Sequence, residues 1–81
     1  MRMPKTGDLV LVRWRDSQAS VGVWETIDGM DRLDPLRCES VGFVLEANDD
    51  YITIAHNRNE YQVLGRLTIP GKAVTSLKRL R

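Results

Sequence analysis

Apolar and polar residues alternate most regularly between Leu9 and Arg15. In an extended chain Val10, Val12 and Trp14 fall on one side, and Leu9, Leu11, Arg13 and Arg15 on the other. The wholly apolar side predicts a strand that turns Val10, Val12 and Trp14 into the core. Asp16-Ser17-Gln18-Ala19-Ser20 ends the pattern with loop chemistry. Val21-Gly22-Val23-Trp24 is compatible with a short resumed strand. A loop follows over about residues 25–37, with turn signals at Asp28-Gly29 and Asp34-Pro35. Met30, Leu33 and Leu36 recur at threes, which allows one helical turn; Pro35 would stop it by Asp34.

The second half reads as strands and tight turns. Cys38 to Glu46 predicts a strand, and Gly42 inside it suggests a bend or bulge. Asn48-Asp49-Asp50 is a turn, and Tyr51 to His56 is rich in β-branched and aromatic residues. Residues 41–56 therefore read as a hairpin. After the loop Asn57-Arg58-Asn59-Glu60 comes a strand from Val63 to Ile69, stopped by Pro70-Gly71. Lys72-Ala73 allows a turn of 3₁₀ helix, and Val74 to Leu80 forms the last strand. Five short strands, strand-interior glycines and no long amphipathic helix predict an all-β fold. Closure removes exposed edges, so the expectation is a small five-stranded barrel of the Src-homology-3-like or Sm-like kind, with one long acidic loop. The whole chain reads as a single domain, with residues 1–6 as a short arm.

Eighty-one residues bound this picture. A chain of that length hides only about 60 % of its surface on folding, enough for one modest core. That excludes a doubly wound nucleotide-binding domain or a (β/α)₈ barrel. Twelve Lys and Arg face eleven Asp and Glu, so no whole-molecule basic field is present. The charge is split along the chain instead. Residues 25–39 hold five acids against Arg32 and Arg37, a net −3, whereas residues 61–81 hold five cations and no acid. No apolar run approaches the length of a membrane span. The start of the chain lacks the apolar segment of a signal peptide. One cysteine, Cys38, permits no internal disulfide. A cytoplasmic location is the expectation.

Four segments carry a resemblance. They are Gly7-Asp8-Leu9-Val10-Leu11-Val12-Arg13-Trp14-Arg15-Asp16, Gly22-Val23-Trp24, Ser40-Val41-Gly42-Phe43-Val44-Leu45 and Ile69-Pro70-Gly71-Lys72-Ala73-Val74. Together they resemble small proteins encoded by tailed bacteriophages. The Gly-Asp opening and the Ile-Pro turn before the last strand also resemble Src-homology-3-like barrels generally. The likeness covers roughly residues 7–80 and implies a phage source, hence a host cytoplasm, and a barrel fold. The likeness to the phage proteins transfers no chemistry and no site residue. In such barrels aromatics beside long loops often form a ligand groove, which is what the resemblance implies for Trp24 and Tyr61.

Each candidate for chemistry has a plainer reading beside it. His56, the only histidine, is either a general base or a strand-end residue; no serine or cysteine adjoins it in sequence. Cys38 has an arginine neighbour that could activate a thiol, or is a small half-buried apolar residue. Asp28, Asp31, Asp34 and Glu39 offer hard oxygen ligands for a divalent cation, or read as a solvated acidic loop, since they lack the alternate spacing of a calcium loop; Glu25 and Asp28 could equally be a landing patch for a basic partner. Arg58, Arg66, Lys78, Arg79 and Arg81 form either a phosphate-contacting stripe or solvated strand-end charge. Trp24 is an interface anchor or a core residue. Neither a metal nor another cofactor is expected, and no catalytic set is assembled.

The expected function is a non-enzymatic binding or adaptor module. It would dock a protein partner, or a second copy of itself, through Trp24, Tyr61, Asp28 and Asp31. The alternative is nucleic-acid or nucleotide binding through Arg58, Arg66, Lys78, Arg79 and Arg81, a chemistry that could serve to counter a host defence system. No membrane partner is expected.

Overall fold

The computed structural model describes residues 3–20 and 22–81. Its elements are β1 (Leu9–Asp16), β2 (Leu36–Ala47), β3 (Tyr51–Arg58), β4 (Val63–Pro70), the 3₁₀ turn Gly71–Ala73 and β5 (Val74–Arg79). The strands form one antiparallel sheet in the order β4-β3-β2-β1-β5. No helix among the described residues is long and apolar enough to cross a membrane.

The sheet is not closed, and this corrects the expectation of a closed barrel. β4 and β5 each pair on one side only, so both are edges. Two features of β4 oppose pairing along its free side. Pro70 has no N–H to donate, and Gly65 stands at φ 78°, which twists the strand. The 3₁₀ turn joins the two edges, anchored where the Gly71 N–H donates to the Asp50 carbonyl at 2.7 Å.

Alternation along β1 places its side chains as the sequence predicts. Val10 and Val12 are fully buried and Trp14 is half-buried. Val44, Ile52, Ile54 and Ile69 complete the core, with Trp14, Ala47, Leu67, Ala73, Val74 and Leu77 packed at its margin. The Trp14 indole N–H donates to Ser40 Oγ at 3.0 Å, so the large ring enters the margin with its polar atom satisfied.

Gly42 serves close approach rather than a bulge. A Cβ there would stand 2.8 Å from the Ala55 carbonyl oxygen and 3.0 Å from Ile54 Cβ. The β2–β3 register shifts further along, between Val44 and Glu46. A second shift lies between Arg13 and Trp14 on the β5 side, where Thr75 Oγ1 donates to the Arg13 carbonyl at 3.1 Å.

The long β1–β2 connection departs from expectation. Gly22, Val23 and Trp24 form no strand, and Val21 lies outside the described residues. Met30 and Leu33 form no helical turn, and Leu36 opens β2 instead. An isolated helical turn is unfavourable without a surface to pack on, and this segment has none beneath it. All its described residues, 17–20 and 22–35, are exposed. The chain is elongated as a result. Its radius of gyration is 16.2 Å, against about 12 Å for a compact domain of this length.

Candidate interaction surfaces

The first surface is the β1–β2 connection. Trp24 is 103 % exposed and Ile27 81 %, and Val23, Met30, Leu33 and Leu36 are also exposed. Little holds this segment internally. The Gly29 N–H donates to the Thr26 carbonyl at 3.2 Å, closing the turn that carries Asp28. Arg32 Nε pairs with Asp34 Oδ1 at 2.9 Å between two solvated side chains. Asp31 is exposed and Glu25 adjoins Trp24. The segment therefore presents large apolar side chains interleaved with carboxylates. The sequence flagged Asp28 and Asp31 by charge, and Trp24 by its place beside the acidic loop and by the barrel resemblance. Ile27, Met30 and Leu33 were missed as surface residues, because their near-threefold spacing points to a helical turn.

Tyr61 is 84 % exposed in the β3–β4 turn. That turn is built on Asn59, whose Oδ1 accepts from the Tyr61 N–H at 3.0 Å and the Gln62 N–H at 2.7 Å. This is the asparagine-turn chemistry expected of such loops. It holds the backbone while leaving the phenol in solvent.

The second surface is the outer face of the sheet, opposite the core. Directly opposed residues share a face, so register decides its composition. Leu9 faces Phe43, Leu11 faces Val41 and Lys78, Arg13 faces Glu39, and Arg15 faces Arg37. Phe43 also faces Ala55, which faces Arg66. Two further guanidiniums converge on the Phe43 ring, Arg58 at 3.9 Å and Arg81 at 6.0 Å from its centroid. The face thus carries Arg13, Arg15, Arg37, Arg66 and Lys78 by register and Arg58 and Arg81 by contact. Its acids are Glu39, bound to Arg13 Nε at 3.0 Å, and Glu46, which accepts from the Tyr51 hydroxyl at 2.8 Å. Leu9, Leu11, Val41 and Phe43 run between the cations as an apolar strip.

The structure divides the basic set read from the sequence. Arg58 and Arg81 meet at Phe43, and Arg66 and Lys78 share the outer face. Arg79 does not join them: it stands opposite Val10 on β1 and its Nε lies 3.4 Å from Asp8 Oδ1. Arg13, Arg15 and Arg37 were missed, because only the β1–β2 register brings them together.

The remaining candidates stand apart from both surfaces or within the sheet. His56 Nδ1 donates to the Val41 carbonyl at 2.7 Å, just past the last β2–β3 pair at Phe43 and Ala55. Cys38 is half-buried opposite Trp14, with its Sγ 3.9 Å from the Leu36 carbonyl. Among the described residues no three His, Cys, Asp or Glu side chains group as a metal site. A cleft of about 260 Å³ opens beside the core between Pro4, Tyr51, Ile52, Val74 and Leu77. Tyr51 has its pKa raised above the ordinary 10.0, chiefly because its hydroxyl donates to the Glu46 carboxylate. Comparison of the chain with family models, curated proteins and solved structures returns no match.

Proposed function

We propose that the chain is a non-enzymatic binding module that docks on a protein through its β1–β2 connection. One observation carries the reading: Trp24 and its apolar neighbours stand in water on a segment whose described residues contribute nothing to the core. Aromatic anchors of this kind dominate interface energetics, because they bury much area at little conformational cost. Carboxylates beside them favour a partner with basic residues at the rim. The strand order, with a 3₁₀ turn before the last strand, supports a half-open relative of the Src-homology-3-like barrel. The likeness to tailed-phage proteins supports action in a host cytoplasm.

Two placements favour the binding reading over an enzymatic one. His56 Nδ1 is committed to a backbone carbonyl, and Cys38 faces Trp14 rather than a base. A photo-crosslinking residue at position 24, with exposed position 72 in the 3₁₀ turn as control, tests the docking reading in cells that express the full chain. A discrete adduct from position 24 alone is expected. Absence of any adduct from position 24 would remove the connection as the docking element.

A further inference from the structure

Two surfaces of this chain match each other in charge and in apolar content. The β1–β2 connection is acidic and apolar, with Trp24, Ile27 and Met30 set among Glu25, Asp28 and Asp31. The outer face of the sheet is cationic and apolar, with Leu11 and Phe43 set among Arg15, Arg37, Lys78 and Arg66. Resting on the docking reading above, we propose that the partner is a second copy of this chain. Each copy lays residues 22–36 across the cationic sheet face of the other, forming a two-fold dimer.

Three observations carry this. The first is surface area. The chain exposes 6757 Å², about 1,800 Å² more than the roughly 4,900 Å² expected of a compact protein this size. A stable interface needs only about 800 Å² per partner. The second is the opposition of Arg15 and Arg37 across β1 and β2. Like charges directly opposed destabilise a sheet unless an acid comes between them. Among the described residues no acid pairs with either arginine, whereas Asp28 or Asp31 of a second copy would. The third is reach. From Leu9 to Arg15 the face extends about 20 Å, a distance that residues 22–36 of the connection and its junction with β2 span easily in extended form. Two-fold symmetry makes the contact reciprocal, so both connections are covered and no open chain of copies results.

Sedimentation velocity over a range of protein concentration and salt tests the proposal, using the full chain and two double variants. Arg15→Glu/Arg37→Glu reverses the face and leaves the connection intact. Asp28→Lys/Asp31→Lys reverses the connection and leaves the face intact. All four positions are exposed, and circular dichroism checks that each variant folds. The wild-type chain is expected to dimerise, and less so at high salt. Each variant alone should dimerise at least about tenfold more weakly. Their equimolar mixture should recover a one-to-one dimer, because both contacts are then complementary again.

A wild-type chain that stays monomeric throughout overturns the proposal. So does a dimer that neither variant weakens. A monomer whose face-reversed variant alone loses a labelled oligonucleotide would also overturn it, and would assign the face to nucleic-acid phosphates. None of these results removes the docking reading if the position 24 crosslink captures another protein. Loss of that crosslink together with a monomeric chain removes both.

Discussion

Arg15 on β1 stands directly opposite Arg37 on β2, guanidinium-bearing residue against guanidinium-bearing residue on the outer face of the sheet. Arg37→Glu converts this repulsion into a cross-strand ion pair. In dilute monomer the substitution should raise stability by about 0.2–1 kcal/mol, read as a higher urea midpoint. It should also weaken self-association, because the face loses two units of positive charge. A lower midpoint would show that the two side chains already avoid each other.

Core and connection should respond differently to the same truncation. Ile54 is fully buried, and Ile54→Ala should cost about 2–5 kcal/mol through lost burial and the cavity left behind. Ile27 is exposed, and Ile27→Ala should leave the monomer within about 0.5 kcal/mol of wild type. Chemical denaturation of both variants checks the contrast. A large loss for Ile27→Ala would place the connection in the folded core of the monomer.

Gly42 has no room for a side chain. With a Cβ 2.8 Å from the Ala55 carbonyl oxygen, Gly42→Ala must part β2 from β3. The expected cost is about 1–3 kcal/mol. Amide exchange should show the loosening first at Ala55 and its neighbours, while β5 stays protected.

Tyr51 gives a pH signature. Its hydroxyl donates to Glu46 only while protonated, and this raises its pKa above 10.0. The bond's contribution to stability is therefore fully present below the unfolded value and is lost as pH rises through the folded one. Ultraviolet titration should find one tyrosine ionising late, and Glu46→Gln should bring that value down. An unchanged titration in Glu46→Gln would place the cause elsewhere.

Much of the fold was legible because its signals are local. Period-two alternation located β1 and its inner face, and Asn48-Asp49-Asp50 located the β2–β3 turn. Closure was not legible, since it depends on whether β4 and β5 meet, which no local pattern encodes. The cationic face was hidden for the same reason. Arg15 and Arg37 lie far apart in sequence and become neighbours only through register. Met30 and Leu33 misled in another way. Spacing by threes implies a helix only if a surface lies beneath it, and these side chains face water.

The central claim is that the β1–β2 connection is a docking element rather than part of the core. Fluorine NMR of the full chain carrying 5-fluorotryptophan tests it most directly, because Trp14 and Trp24 give one resonance each. In dilute solution Trp24 should respond to a soluble paramagnetic quencher and Trp14 much less. As protein concentration rises, the Trp24 resonance should shift and lose its quenching while Trp14 stays fixed. A Trp24 resonance shielded from the quencher in dilute monomer would contradict the account.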